Sequence, residues 1–255
     1  MLLTRVIPCL LLQDESLVKT TKFEKATYIG DPINTVRIFN ELEVDELLFL
    51  DISATLEGRK PNFKLLGEIA NECFMPLGYG GGMNDFEDAK RILQIGFEKI
   101  AVNSFSFQSP HYITKLSEHF GAQAIIGSID VKKNFFGTYE VYSHAGKKNT
   151  KKNPVEWAQQ LEALGVGEIL LTSIDKEGSW SGFDTELVKR VAAAVSVPVI
   201  ANGGAGSIQH IEQVVKLAKA SAVSLGSMVV FQKKGLGVLV NFPERDLLEQ
   251  ALSHK

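Results

Sequence analysis

Short apolar runs alternate with longer amphipathic stretches along the whole chain. The apolar runs lie at 5–11, 46–51, 75–80, 99–104, 122–130, 168–173, 197–203 and 221–226. Helical spacing of apolar residues appears between them, as at 32–43, 62–73, 85–96, 154–165, 184–195 and 211–220. A strand followed by a helix, repeated eight times, predicts parallel strands joined by crossover helices. The length suits a closed (β/α)8 TIM barrel, which we predict, with a doubly wound open sheet as the alternative.

Two halves of the chain share sequence at the ends of the predicted strands. The corresponding segments are 76–82 with 198–204, 44–52 with 166–174, and 101–104 with 224–227. This repeat predicts one domain over 1–255 that is built from two similar half-barrels. The longest irregular region, 131–153, contains the alternating run FFGTYEVYS and predicts a hairpin inserted after the fifth strand.

Composition and charge favour small-molecule partners. The formal net charge is −3, and lysines and acids are interspersed, so no broad basic face for nucleic acid or lipid is expected. Cys9 and Cys73 lie in apolar stretches, as expected for packed free thiols in a reducing compartment. The apolar N-terminus is too short to span a membrane and has no cleavage motif, so we expect a cytoplasmic protein. No metal-ligand spacing is present, and no cofactor is expected.

Glycines follow several predicted strands, where they let oxyanions approach backbone N–H groups. They occur in symmetric sets after strands 3 and 4 and after strands 6 to 8. Two sets predict two phosphate-binding loops on opposite sides of the barrel mouth, with purely structural turns as the alternative. The predicted loop residues are Gly82, Asn103, Ser104, Gly178, Gly204, Gly226 and Ser227.

Polar residues at the strand ends are candidates for chemistry, because the strand C-termini of such a barrel carry the active site. These residues are Asp51, Asn103, Asp130, Thr172, Ser173 and Asn202, with Lys19 on the first loop. Asp130 ends the run AIIGSID, so partial burial should raise its pKa and suit it to general acid or base catalysis. Capping of loop amides is the alternative role. Asp51 fits a structural or substrate-hydroxyl acceptor, and His144 fits a solvent-exposed hairpin residue.

Specific motifs carry a resemblance to a known family. RVIPCL, GDPI, DELLFLDI, the triple glycine, VNS, GKKNT, GEILLTSID and GGAG together resemble the cyclase subunit of imidazole glycerol phosphate synthase. The resemblance covers nearly the whole chain. It implies a glutaminase partner on the strand N-terminal face, whose ammonia crosses the barrel to a substrate with two phosphates. The products would be imidazole glycerol phosphate and an aminoimidazole carboxamide ribotide.

The resemblance also implies an ammonia entrance at the barrel bottom. The family's charged ring corresponds to Arg5, Glu46, Lys99 and Glu168, all with the expected charge. Independently solvated charges at the strand starts are the alternative. Glu98 and Gln123 match the rim that faces the glutaminase.

The active-site end departs from the family pattern. Of the family's two catalytic aspartates, one corresponds to Asp130 and the other to Leu11, which cannot transfer a proton. The acidic residue of the sixth loop is Glu177, implied to contact substrate. Trp180 and Tyr79 are further changes near the mouth.

Three functional hypotheses follow from the resemblance. The sequence looks closest to a paralogue group associated with surface polysaccharide, such as lipopolysaccharide O-antigen. That resemblance implies that the barrel and a glutaminase supply ammonia to an amidotransferase, which converts an acetamido to an acetamidino group on a nucleotide-linked sugar. The alternatives are the histidine-biosynthetic cyclase itself and a non-catalytic activator and ammonia conduit.

Overall fold

Eight parallel strands form a closed barrel in the computed structural model, which describes residues 4–253. The barrel strands are β1 (Arg5–Gln13), β4 (Leu47–Asp51), β5 (Leu77–Gly80), β6 (Lys99–Val102), β7 (Ile125–Lys133), β10 (Glu168–Ser173), β11 (Val199–Asn202) and β12 (Ala222–Leu225). β1 pairs with β12 and β7 pairs with β10, which closes the ring. The predicted (β/α)8 barrel is confirmed, and the open-sheet alternative is wrong. The extreme ends of the predicted domain, 1–3 and 254–255, lie outside the described residues.

Helices cover the outside of the barrel. They are α1 (Pro32–Glu41), α2 (Ala54–Glu57), α3 (Phe63–Glu72), α4 (Phe86–Ile95), α5 (Ser104–Gln108), α6 (His111–Phe120), α7 (Pro154–Ala163), α8 (Thr185–Ala192), α9 (Ile208–Ala218), α10 (Ser227–Val230) and α11 (Arg245–Leu252). Six of them begin at a residue whose side chain accepts a backbone N–H of the first turn: Asp31, Asn62, Asp85, Asn153, Asp184 and Ser207. Within residues 4–253, no helix combines the length and apolar character needed to cross a bilayer.

Helix α6 is an element that the six helical stretches named from the sequence do not include. It starts after Pro110, which provides no side-chain cap, so the usual start signal is weak. Its buried face is formed by Tyr112, Ile113 and Leu116. Packing of this face against the barrel therefore stabilises the helix.

The strand register determines how the barrel closes. Following the inter-strand residue pairs from Leu11 on β1 through β4, β5 and β6 leads to Ile126 on β7, which is four residues before Asp130. Following the pairs from Asp130 on β7 through β10, β11 and β12 leads to Ile7 on β1, which is four residues before Leu11. The total shift of eight residues is the shear of a (β/α)8 barrel. It also shows that the two halves are geometrically equivalent.

Two barrel strands, β1 and β7, extend beyond the others at the mouth. The end of β1 pairs antiparallel with β2 (Ser16–Lys19), which pairs with β3 (Thr27–Gly30). The end of β7 pairs antiparallel with β8 (Tyr139–Ser143), which pairs with β9 (Lys148–Asn149), all within or beside the segment 131–153. Each half-barrel therefore has an antiparallel extension over the same end of the barrel.

Two glycines offer a matched test of backbone strain. Gly81 has φ +128°, and a Cβ there would lie 2.5 Å from the carbonyl oxygen of Asp51. Gly67 lies in α3 with open space where its Cβ would be. We expect Gly81→Ala to lower the free energy of unfolding by at least about 2 kcal/mol, and Gly67→Ala to raise it by about 0.5–1 kcal/mol. Urea denaturation measures both values; equal stabilities would contradict the strain assigned to Gly81.

Candidate active site at the barrel mouth

A cavity of about 770 Å³ opens at the C-terminal ends of the strands. The strand ends, the loops after them and the segment after β8 form its walls. All twelve residues predicted as catalytic or substrate-binding line it: Lys19, Asp51, Gly82, Asn103, Ser104, Asp130, Thr172, Glu177, Gly178, Gly204, Gly226 and Ser227. The structure thus brings them together at one end of the barrel, while their individual roles stay predictions.

The two halves of the barrel present different chemistry to this cavity. Leu11 pairs with Leu50, and Asp130 pairs with Thr172, so Leu11 and Asp130 hold equivalent positions in the sequence repeat. Continuing along the paired positions, the first half presents Leu11, Leu50, Gly80 and Ala101, and the second presents Asp130, Thr172, Asn202 and Ser224. All eight line the cavity. In this layer of paired positions, the first half is therefore apolar and the second half is polar.

Asp130 has the properties of a proton-transfer group. Burial raises its pKa to about 7, although hydrogen bonds from Thr172 and Asn103 act in the opposite direction. Asn103 Nδ2 donates to its carboxylate at 3.0 Å, and Asn202 Nδ2 donates to Thr172 Oγ1 at 3.0 Å. A carboxyl group with a pKa near neutrality can exchange a proton at physiological pH. Asn103 from the first half and Thr172 from the second also hold it in place.

Leu11 leaves the equivalent position of the first half without an acid. Its side chain is half-buried and packs against the interior apolar cluster. The next carboxylates along the chain belong to Asp14, which is exposed in the β1–β2 turn, and Glu15, which accepts from Asn62 Nδ2 at 3.1 Å. Both lie outside the cavity lining. Neither one takes the place of an acid at Leu11.

A buried ion pair joins the first and sixth loops. Lys19 contacts the carboxylate of Glu177, and Thr20 Oγ1 donates to the same carboxylate at 3.3 Å. Lys19 is only 6% exposed, and burial lowers the pKa of its ammonium group to about 8. The backbone N–H of Lys22 also donates to the carbonyl of Glu177 at 3.1 Å. The first loop is thereby fixed across the mouth.

The predicted phosphate-binding loops have matching backbone geometry in the two halves. Gly81 and Gly82 have φ of +128° and +66°, and Gly203 and Gly204 have φ of +91° and +109°. A Cβ at any of these four positions would lie 2.2–2.8 Å from its nearest neighbouring atom. Turn geometry alone explains the glycines, so phosphate binding by these loops stays a prediction.

Asp51 is fully engaged by neighbouring groups. Arg59 donates to its two carboxylate oxygens at 2.8 and 2.9 Å, and the N–H groups of Ser53 and Ala54 donate to Oδ1. Of its two predicted roles, these contacts support the structural one. Arg59 itself lines the cavity but was missed, because a lone arginine in the sequence GRK gives no sign of its tertiary partner.

His144 is not the solvent-exposed hairpin residue that the sequence suggested. It is half-buried and lines the cavity, and its backbone N–H donates to Ser104 Oγ at 2.8 Å. The expectation was wrong because β8 folds back along β7 and brings the following turn over the mouth. That turn is thereby tied to one of the predicted phosphate loops.

The opposite end of the barrel carries a closed ring of charges. Arg5 contacts Glu46 at 2.6 Å and Glu168 at 2.7 Å. Lys99 contacts the same two carboxylates at 3.0 and 3.3 Å. Each cation therefore bridges both anions, which contradicts the alternative of four independently solvated charges. An ammonia-gate role for this ring stays a prediction.

Glu98 and Gln123 lie at the same end of the barrel as the charge ring. Both are exposed; Glu98 lies immediately before β6 and Gln123 lies two residues before β7. Gln123 Nε2 donates to the carbonyl of Phe120 at 3.2 Å. The two side chains are accessible to a partner, and their role in an interface stays a prediction.

Comparison with known proteins decides the family. A family model described as histidine biosynthesis protein matches residues 5–234. The chain belongs to this family. Within it, "Imidazole glycerol phosphate synthase subunit HisF" of Streptococcus sanguinis is 41% identical, over 89% of this chain and 90% of its own length. The chain is therefore a member of the cyclase-subunit group of imidazole glycerol phosphate synthase, as the motifs suggested.

Other relatives of this group are more similar. "Putative imidazole glycerol phosphate synthase subunit hisF2" of Pseudomonas aeruginosa is 48% identical, over 96% of this chain and 98% of the relative. "Putative imidazole glycerol phosphate synthase subunit hisF3" of Vibrio vulnificus is 43% identical, over 99% and 97%. The family assignment thus extends over essentially the whole barrel.

The raised pKa of Asp130 predicts a pH-dependent cost to stability. In the folded protein the Asp130 carboxyl keeps its proton up to about pH 7, whereas in the unfolded chain it loses that proton near pH 4. The free energy of unfolding therefore falls as the pH rises between these two values. Asp130→Asn removes this dependence. We expect the variant to gain about 1–3 kcal/mol relative to the parent between pH 4 and pH 8 in urea denaturation. Glu41→Gln, at an exposed helix position, is the control; a parallel pH profile for Asp130→Asn would contradict the assignment.

Proposed function

We propose that this protein is the ammonia-channelling barrel of a glutaminase-coupled system for surface polysaccharide biosynthesis. In this proposal, a glutaminase subunit binds the strand N-terminal face, and ammonia passes the ring of Arg5, Glu46, Lys99 and Glu168. An amidotransferase then uses the ammonia to convert an acetamido to an acetamidino group on a nucleotide-linked sugar. Nitrogen from ammonia replaces the acetamido oxygen, which leaves as water, so ammonia is a reagent that the reaction requires.

The single observation that carries the proposal is Leu11 at the position equivalent to Asp130. A cyclase that needs an acid and a base on opposite sides of its substrate requires a proton-transfer group in each half of the mouth. In the layer of paired positions that contains Asp130, only the second half has one, because the first half presents Leu11, Leu50, Gly80 and Ala101 there. The charge ring at the other end keeps every ion pair. An intact entrance with half of the proton-transfer pair missing supports delivery of ammonia over cyclisation.

A second candidate is the histidine-biosynthetic cyclase. It is favoured by the survival of both glycine loops and by the pKa of Asp130, which burial raises to about 7. A pure conduit for ammonia needs neither feature. In the leading proposal, the glycine loops bind the diphosphate of the nucleotide sugar or are retained as scaffold. A non-catalytic activator of the glutaminase shares the same partner and assigns no chemistry to Asp130.

Cyclase turnover with free ammonium separates these candidates. The purified chain receives an ammonium salt and the phosphoribulosyl ribonucleotide of the histidine pathway, and product formation is followed. We expect turnover to be lower by a factor of about 10²–10⁴ than in a cyclase that has both catalytic aspartates, because a positioned proton-transfer group usually contributes a factor of that size. Leu11→Asp should recover part of this loss, and Leu11→Asn, with a similar volume but no acid, should not. Turnover in the parent chain at the level of a two-acid cyclase would overturn the leading proposal.

The proposed glutaminase contact predicts effects at the strand N-terminal face. Glu98→Lys and Gln123→Lys should each raise the Kd for the glutaminase subunit by about tenfold, because both side chains are exposed beside the charge ring. Gln209→Lys, at an exposed position at the N-terminal end of α9, is the matched control. Isothermal titration calorimetry measures all three affinities. Equal affinity for all three variants would argue against this docking face.

A further inference from the structure

The hairpin between β7 and β8 exposes two aromatic side chains at its tip. Phe135 is 97% exposed and Phe136 is 87% exposed. Their rings contact each other edge to face, with centroids 5.6 Å apart. Adjacent exposed phenylalanines contribute nothing to the barrel core and favour association with an apolar surface. Their placement therefore calls for a role outside the fold of the monomer.

The turn that carries these rings is held in a defined conformation. The side-chain oxygen of Asn134 accepts from the N–H groups of Phe136 and Thr138, both at 3.0 Å. The backbone of Asn134 also pairs with Thr138 and Gly137 at 2.9 Å. A binding element that is already ordered loses little conformational entropy when a partner binds. The tip is thus preorganised to present its two rings.

A groove of about 300 Å³ lies beside the tip, between the hairpin and helices α7 and α8. Phe136, Tyr139 and Val155 contribute apolar surface to it. Lys133 and Arg190 lie on the same groove, each with its cationic group near the ring of Tyr139, at 4.8 and 5.7 Å. Glu186 lines the same groove and accepts from Arg190 Nε at 2.7 Å, which leaves Lys133 as the groove cation for a carboxylate of a partner. The groove therefore fits an apolar side chain that is next to a carboxylate.

The hairpin is strongly basic, although the whole chain is acidic. Segment 131–153 has six lysines and one glutamate, whereas the net charge of the whole chain is −3. Among the described residues, no carboxylate lies within 4.0 Å of the ammonium groups of Lys132, Lys133, Lys147 or Lys148. The interpretation of evenly interspersed charge does not hold for this segment. A positive, aromatic-tipped surface complements an acidic partner.

The hairpin also borders the active-site cavity. Its first strand carries Asp130, and Phe135 lies five residues further along, on the order of 15 Å at the rise of an extended chain. Its second strand leads to His144 and Lys147, which line the cavity. A protein bound to the tip would therefore stand beside the barrel mouth.

We propose that this surface, defined by Phe135, Phe136, Lys132, Lys133 and the adjacent groove, docks an acidic, apolar-anchored segment of the enzyme that consumes the ammonia. Only the identity of the partner rests on the proposed function. A protein partner is favoured over nucleic acid or an anionic membrane for two reasons. The groove accommodates a single side chain, and the chain outside the hairpin is acidic and would repel an extended polyanion.

The test measures binding of the amidotransferase to the barrel–glutaminase complex by biolayer interferometry. Phe135→Ser with Phe136→Ser should raise the Kd at least tenfold, as expected for exposed aromatic anchors. Lys132→Gln with Lys133→Gln should lower the association rate and weaken its dependence on salt. Phe74→Ser is the matched control, because Phe74 is 88% exposed but precedes β5 at the opposite end of the barrel. It should leave amidotransferase binding unchanged.

The outcomes separate docking from function. Unchanged urea denaturation of the double-serine variant excludes misfolding as the cause of weaker binding. An unchanged Kd for that variant, or absence of amidotransferase binding to the parent complex, overturns the docking inference, whatever the cyclase assay shows. Binding of single-stranded DNA or phosphatidylserine vesicles that is lost in the same variant would also overturn it. If the cyclase assay instead refutes the proposed function while the amidotransferase still binds through the two rings, the docking surface stands.

Discussion

Closure of eight parallel strands with a total shift of eight residues is the constraint on which the rest of the structure depends. Because every strand runs in the same direction, all N-terminal ends meet at one opening and all C-terminal ends meet at the other. Charges from four distant parts of the chain therefore form one ring, with Arg5 and Glu168 in contact at 2.7 Å. At the other opening, the same geometry brings residues from the first loop to the last strand into one cavity.

The half-barrel repeat makes the two sides of the mouth comparable position by position. The backbone has kept the symmetry, since the glycine pairs Gly81–Gly82 and Gly203–Gly204 adopt left-handed conformations in both halves. The side chains have not. Burial among polar neighbours gives Asp130 a pKa of about 7, while Leu11 at the equivalent position adds only apolar surface. Backbone and chemistry have therefore diverged to different extents within one fold.

The antiparallel extensions of β1 and β7 determine what surrounds the mouth. The first leads into a loop that Lys19 and Glu177 fix to the sixth loop. The second places His144 beside Ser104 in one of the predicted phosphate loops and exposes Phe135 and Phe136 at its tip. Both extensions continue barrel strands, so rigid backbone positions these groups. The extension of β7 therefore connects the cavity, through His144, with the exposed tip that carries Phe135 and Phe136.

The sequence by itself determined the barrel, the order of its strands and the positions of the residues that converge at the mouth. Strand and helix periodicity can be read along the chain, and the internal repeat aligns its two halves. The family resemblance also aligned Asp130 and Leu11 with the two catalytic positions, at one of which the acid is absent. Only the tertiary structure showed which side chains interact with one another: Arg59 donates to both carboxylate oxygens of Asp51, and the hairpin after β7 brings His144 to the cavity. These contacts form only when the folded chain brings the residues together, and the periodic patterns of the sequence do not predict them. Likewise, helix α6 depends on packing of its buried face rather than on a capping residue.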